Sequence, residues 1–221
     1  MDKSRRLYHF TTAEYGIQNI QRERLKIARV MELNDPFEMH SFDVKDRTLR
    51  RGLKKFKEDF SKKVGFLSFS RSLSSPVQWA HYSDKHKGIC LGFDVALDRA
   101  AAIRYIDQRI DLGELIKVNG FSERLVMAVL YGSKYHHWSY EEEFRMLASL
   151  SNGVEENGLY FLPFGGNLVL REVVVGCQSK IKLNEIEKAL GVQKGVVDIY
   201  KVRPAFGTYS MVRNRSPSAL L

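Results

Sequence analysis

The stretch VGFLSFSRS, residues 64–72, restricts this chain more than any other segment. Phe66, Ser68 and Ser70 alternate with Leu67 and Phe69, the two-residue period of a strand, in which neighbouring side chains point to opposite faces. A strand needs partners. LYHF, LKIARV, GICLGFDV, AAIRYID, GLYFLPF, NLVLREVVVG and VVDIYKVRP supply them, each a short apolar run bounded by turn-forming or charged residues. Between them lie helical patterns. TTAEYGIQNIQRERL reads as a helix with Thr11 and Glu14 as a capping box, and SSPVQWAHYS has Ser75 as cap and Pro76 at the first helical position. DLGELIKVNGFSERLVMAVLYGSKY reads as helical with a break near Asn119-Gly120, and KLNEIEKALG as a further helix. LNDPFE reads as a turn on Asn34, Asp35 and Pro36. Strands in consecutive groups with helices inserted between them predict an α+β fold with a largely antiparallel sheet.

At 221 residues with 44% hydrophobic side chains, the chain can build one sizeable core. The expectation is a single domain over 1–210 and a flexible tail over 211–221. Cys90 and Cys177 stand far apart among apolar residues, which reads as reduced thiols rather than a disulfide framework. No apolar stretch approaches the roughly 20 residues of a membrane span. The start, MDKSRRLYHF, is charged without a following apolar run. A soluble, cytoplasmic protein without a membrane partner is expected.

The net charge of +9 raises the question of a polyanion partner. Segment 44–63 holds nine Lys or Arg against three acids, which is +6 of that total. Leu49, Leu53, Phe56 and Phe60 recur at helical spacing there, so the cations, among them Arg50, Arg51, Lys54 and Lys55, surround an otherwise apolar stripe. A solvated basic face is the plainer reading. Nucleic-acid binding through those four residues is the alternative.

The chemistry-bearing residues fall in a particular order. His9 lies in LYHFTT, Ser68 and Ser70 in the alternating strand, and Glu141, Glu142 and Glu143 in WSYEEEFRML. If 140–150 is a strand, Glu141, Glu143 and Arg145 share one face, and Phe144, Met146 and Ala148 the other. If it is a helix, Ser139 and Glu142 form a capping box and the acids complement the positive helix end. Both options stay open at this level. No dinucleotide G-x-G-x-x-G context, P-loop or G-x-S-x-G elbow is present. His81 and His86, five apart, do not share a helix face, so no metal site is expected.

Taken together, LYHFTT, LNDPFE, FLSFSRS, WAHYSDKHKGICLGFD, WSYEEEFR and REVVVG resemble the uncharacterised bacterial family catalogued as domain of unknown function 2971. The order H-F-T, S-F-S, E-E-E also resembles the three-part signature of ADP-ribosyltransferases, whose fold is a split β-sandwich gripping NAD in a central cleft. The resemblance differs from one enzyme subgroup in carrying S-F-S for S-T-S and His for Arg. It implies NAD as substrate, with His9 bonded to a ribose, Phe10 and Thr11 beside it, and Ser68 or Ser70 bracing the site. It makes Glu143 the acid that holds the nicotinamide ribose and stabilises the cationic transition state, and Glu141 the group that orients or deprotonates the acceptor. Tyr82 or Trp79 would wall the nicotinamide. Arg145 would neutralise the acids or bind pyrophosphate, and Arg71 is a second phosphate candidate.

The leading expectation is therefore an NAD-dependent ADP-ribosyltransferase or NAD glycohydrolase, in a toxin or phage-defence setting, with a nucleic-acid or protein acceptor. The alternatives are a nucleic-acid-binding protein using helix 44–63, and a metal-dependent nuclease built on Glu141, Glu143 and Asp35.

Overall fold

The computed structural model describes residues 4–120, 122–216 and 220. Strand β1 (Ser4–Thr11) leads into helix α1 (Ala13–Gln21) and strand β2 (Arg24–Ile27). Thr12 rather than Thr11 caps α1, its hydroxyl oxygen accepting the Tyr15 amide at 3.2 Å, because Thr11 is still held in the strand. The turn at 34–39 follows, and helix α2 (Arg47–Ser61) starts where the Asp46 carboxylate accepts the Leu49 amide at 2.7 Å. Next come β3 (Val64–Ser70), α3 (Pro76–Tyr82) with Ser75 and Pro76 placed as expected, β4 (Ile89–Ala96), and short strands β5 (Ala101–Ala102) and β6 (Arg104–Ile106).

Helices α4 (Leu112–Asn119) and α5 (Glu123–Gly132) are separated at Gly120, whose φ of 72° favours glycine. Helix was expected to run on to Tyr135, but α5 stops at Gly132 and the next residues form β7 (Ser133–Tyr135), paired in parallel with β6. The chain continues as β8 (Glu143–Ser149), β9 (Val154–Glu156), β10 (Leu159–Pro163), β11 (Leu168–Val175), α6 (Leu183–Leu190), β12 (Asp198–Pro204) and β13 (Met211–Arg213). The tail expected from 211 therefore begins as a strand, with Val202 opposite Arg213 in the β12–β13 pairing. Positions 217–219 and 221 of that tail lie outside the described residues.

The fold is mixed α+β. Its main sheet runs in the order β13-β12-β11-β4-β1-β3-β8-β5, antiparallel apart from the parallel β11–β12 pair. Strands β2, β10 and β9 make a second, smaller sheet. Among the described residues no helix is long and apolar enough to cross a membrane.

One junction in the main sheet is different from the others. β1 and β4 pair continuously from Ser4↔Ala96 to Thr11↔Ile89, and β3 and β8 from Val64↔Ser149 to Ser70↔Glu143. Between β1 and β3, however, the only registered pair is Tyr8↔Ser70. The two ladders part on either side of that pair.

Packing follows the parting. One face of the sheet forms a continuous core of Leu7, Leu67, Phe69, Leu91, Phe93, Phe144, Met146 and Val173, covered by Ile20 of α1 and Ile186 of α6. The opposite face carries two separate clusters. Trp79, Cys90, Val174, Tyr200 and Val202 pack over the β4–β11–β12 half, while Met39, Phe42, Leu53, Phe66 and Leu130 pack over β3 with α2 and α5. Strands such as β4 and β11 are apolar in consecutive residues because both of their faces are covered. The interval between the two clusters is left for polar residues.

Gly65 illustrates how closely β2 is drawn onto β3. Ala28 and Phe66 exchange backbone hydrogen bonds of 3.0 and 2.9 Å, and a Cβ on Gly65 would lie 2.5 Å from the Ala28 carbonyl oxygen. Replacing Gly65 by Ala should push these segments apart at a cost of about 1–3 kcal/mol, read as a lower midpoint of urea unfolding at unchanged slope.

Candidate active site

The three consecutive acids adopt neither of the two uniform conformations their spacing allows. His136–Glu141 form a 3-10 turn, Glu142 sits in the left-handed region with φ 43°, and β8 begins at Glu143. A non-glycine residue there is uncommon, and here it does geometric work. Glu142 is turned out to solvent, and Glu141 and Glu143 are both buried. Approaching from different local conformations, the two meet at one cation. Lys134 Nζ of β7 donates to Glu141 Oε2 at 2.6 Å and to Glu143 Oε2 at 3.2 Å.

Beyond Glu143, β8 behaves as the strand option required, with Arg145 on the acid face and Phe144, Met146 and Ala148 in the core. Arg145 uses all five of its N–H groups. Nε and Nη2 donate to Glu143 at 2.7 and 2.9 Å, Nη1 and Nη2 to Glu38 at 2.6 and 2.9 Å, and Nη1 also to the Tyr131 carbonyl at 3.1 Å. Its guanidinium stacks over the Phe66 ring, 4.7 Å from the centroid. Of the two roles suggested for Arg145, neutralising the acids is the one its geometry fulfils. It keeps no donor for a pyrophosphate.

Glu38 reaches this cluster from the 34–39 turn. Asp35 Oδ1 accepts the Phe37 amide at 2.8 Å, the turn chemistry the sequence suggests, and the turn then presents Glu38 inward.

The acids sit in different surroundings. Burial would raise the Glu143 carboxyl, but the charge and hydrogen bonds of Arg145, the charge of Lys134 and the Ser68 hydroxyl, 2.8 Å from Oε1, hold it down at about 2. Glu141 is pushed up by burial, with the nearby Glu143 adding to the rise, against the opposing effect of Lys134 and of the Tyr82 hydroxyl that donates to Oε1. One carboxyl is kept ionised and its neighbour is moved towards taking a proton. Lys134 stays charged: burial opposes its ammonium, but Glu143 and Glu141 together raise it.

A cavity of about 210 Å³ opens onto this cluster, at the parting of β1 and β3. Its walls include Tyr8, His9 and Phe10 of β1 and Ser68 and Ser70 of β3, besides Gln78, Tyr82 and the charged cluster itself. His9 bridges the gap that the backbone ladder leaves. Its Nδ1 lies 3.0 Å from the Ser68 carbonyl, which can only accept, so Nδ1 carries the proton. Burial lowers the proton affinity of the ring, with the Ser68 bond opposing, which leaves Nε2 as a bare acceptor. Gln78 donates from Nε2 to the Glu141 carbonyl at 2.7 Å, while its Oε1 is buried without a partner.

The remaining expected residues divide. Ser70 does not touch the acids: its hydroxyl donates to the Ser72 carbonyl at 2.8 Å and accepts the Ser72 amide, fixing a turn. Thr11 and Arg71 are not among the lining residues, and Arg71 is exposed. Trp79, suggested as an aromatic wall, is fully buried, donating from its indole to the Leu73 carbonyl at 2.7 Å and meeting the Phe10 ring edge-on. Tyr82 does line the cavity. Arg50, Arg51, Lys54 and Lys55 lie exposed on α2. As for metals, no group of three or more His, Cys, Asp or Glu side chains among the described residues is arranged to hold one. Glu38, Glu141 and Glu143 instead face Lys134 and Arg145.

Sequence reasoning missed Lys134, Gln78 and the inward role of Glu38. Lys134 was hidden in an apparent helix end, and Glu38 in an apparent turn. Comparisons with family models, with curated proteins and with solved structures find no match to this chain.

Replacing Glu38 by Ala leaves half of the Arg145 fork buried and unanswered, and should lower stability by about 3–5 kcal/mol in urea unfolding, with Glu38→Gln recovering part of the loss. Glu143 adds a pH signature. Its folded value of about 2 lies below the ordinary 4.5, so its stabilisation is complete above pH 4.5 and disappears as the pH falls towards 2. Unfolding followed across that window should show a steep loss in the wild type and a flatter one in Glu143→Gln.

Proposed function

We propose that the protein cleaves NAD, as an ADP-ribosyltransferase or NAD glycohydrolase of the split β-sandwich type. One observation carries the reading: the two buried acids of the E-x-E segment meet at Lys134 in the cavity that His9 lines. The parting of β1 from β3 supports it, because His9 stands on one lip and Ser68, braced to Glu143, on the other.

The chemistry asked of such a site is loss of nicotinamide from C1′ of its ribose. The C1′–N bond breaks with its electron pair leaving on nicotinamide, and positive charge develops on the sugar. The carboxylates of Glu38, Glu141 and Glu143 pair with two cations, Lys134 and Arg145, three acids against two, while the half-buried Lys57 nearby donates to the Glu38 carbonyl. A fixed negative charge aimed at a developing cation lowers the barrier without reorganisation. Glu143 is the acid held ionised, and its 3.2 Å contact with Lys134 is the longest of its hydrogen bonds and the one a ribose hydroxyl would replace. Glu141, raised by burial, takes the proton of water or another acceptor as it bonds to C1′.

Among the described residues, Gln78 Oε1 is buried without a partner and the one hydrogen bond of the His9 ring is at Nδ1, and both free acceptors suit this ligand. His9 Nε2 would receive a ribose hydroxyl, and Gln78 Oε1 an N–H of the nicotinamide carboxamide. At about 210 Å³ the cavity is smaller than the ~300–1,000 Å³ typical for whole drug-sized ligands, so it suits the nicotinamide–ribose end of the dinucleotide. With the donors of Arg145 engaged and Arg71 outside, Lys26, 3.6 Å from Glu32 and half exposed, is the cation on the cavity wall placed to meet the pyrophosphate.

The test is release of free nicotinamide from NAD by purified protein, with and without acceptors. Glu143→Gln should lower kcat by at least ~100-fold. Ser68→Ala, which keeps the carboxylate but loosens it, should cost about tenfold, and Lys26→Ala should raise KM more than it lowers kcat. The rate should climb with pH as Glu141 ionises, a limb that Glu141→Gln removes. A folded wild type that frees no nicotinamide under any of these conditions would end the proposal.

A further inference from the structure

A second groove, of about 240 Å³, shares Lys134 with the carboxylate cavity. Its walls include Phe37, His40, Ile106, Arg109 and Tyr135. Two aromatic rings stand largely in water here, Phe37 at 58% exposure and Tyr135 at 46%. Neither is loose. Tyr135 is backed by the His137 ring, nearly parallel at 4.8 Å and 12°, and Phe37 lies under the Arg109 guanidinium at 5.4 Å with His40 edge-on at 6.5 Å.

The groove also joins the basic helix. A third hollow shares His40 with it and is walled by Arg50, Lys54 and Lys57 of α2. His40 and Lys134 are thus shared walls that place three hollows side by side, from the basic face of α2, past the two rings, to the acids. Acids beside this path already have partners, Asp107 the His136 ring at 3.0 Å and Asp43 the Lys45 ammonium at 3.0 Å. Rings alternating with fixed positive charge match a polymer whose own rings hang from a regularly charged backbone. The rings of a duplex are stacked on one another and unavailable to Phe37 or Tyr135, so the strand must be single.

We infer that this groove binds a single-stranded polynucleotide, its phosphates on Arg50, Lys54 and Arg109 and its bases on Phe37 and Tyr135. The bound strand leads past Lys134 to the carboxylates and serves as acceptor of ADP-ribose. Binding stands on the groove alone, while the acceptor role rests on the NAD-cleaving reading. In the transfer, a nucleotide nitrogen or oxygen bonds to C1′ as the C1′–N bond to nicotinamide breaks. Its proton passes to Glu141, and nicotinamide leaves with the electron pair.

The experiment is fluorescence anisotropy of the full chain with labelled single-stranded DNA and RNA of about 15 nucleotides, across a salt series. One or both should bind, the two arms showing which sugar is preferred. Phe37→Ala and Tyr135→Ala should each weaken binding about tenfold. Arg109→Gln should weaken it and lower the salt slope by about 1. Tyr209→Ala, an exposed ring on the β12–β13 connection, should bind as the wild type does.

Absence of binding at low salt, or ring variants that bind like the wild type, would overturn the inference. So would stronger displacement by poly-glutamate than by unlabelled oligonucleotide, which would assign the groove to an acidic polypeptide. Nicotinamide release measured in parallel keeps the two readings apart. Ring-dependent binding without release removes the NAD reading and leaves the groove, and release without ring-dependent binding does the reverse.

Discussion

Arg145 is the residue on which the rest of the site depends. Buried charge is costly unless every polar atom is satisfied, and a guanidinium buried in a sheet needs five acceptors in a fixed plane. Here those acceptors come from three places far apart in the chain: Glu143 on its own strand, Glu38 from the turn after β2, and the Tyr131 carbonyl near the end of α5. Fixing Arg145 thereby fixes where three elements sit around the cavity. It also fixes Glu143, whose two oxygens are gripped by Nε and Nη2, so the carboxylate cannot rotate away from the ligand space.

Lys134 plays a complementary part. It touches both acids, but at unequal distances, and the inequality matches their unequal surroundings. Glu143 has Arg145 and Ser68 in addition and stays ionised. Glu141 is also buried but has fewer donors to offset it, Lys134 and Tyr82, and is moved the other way. Two carboxyls two positions apart in sequence thus acquire different acidities from the numbers of donors around each. The left-handed Glu142 between them makes the asymmetry possible, because a regular strand would have given both acids the same kind of neighbours.

The features legible in the sequence were those set by local chemistry. Ser75 and Pro76 start a helix because a hydroxyl cap and a fixed φ act within one turn, and the alternation of Phe66 to Ser70 marks a strand whatever lies beyond it. The order His9, Ser68, Glu141 and Glu143 was legible as a set, and these residues do gather around one cavity. What was not legible depends on distance along the chain. Glu38 and Arg145 are separated by 107 positions, and nothing near Glu38 in LNDPFE distinguishes an inward acid from a turn acid. Trp79 was misplaced for a related reason: an indole in an amphipathic helix looks the same whether it faces a ligand or the core, and Cys90, Val174 and Tyr200 settle the matter from elsewhere. The break at Glu142 leaves no signature, since glutamate has no preference for positive φ.

The lone Tyr8↔Ser70 pair between β1 and β3 has a mechanical consequence. Each flanking ladder is laced along its whole length, but the two are joined to each other at a single registered pair, with the His9 imidazole bonded across beside it. Force applied across the sheet is concentrated at this seam, where few backbone bonds resist it. The charged residues are gathered along this line of sparse backbone pairing, and what joins the two ladders there is the packing of Leu7, Phe69 and Phe93 beneath it.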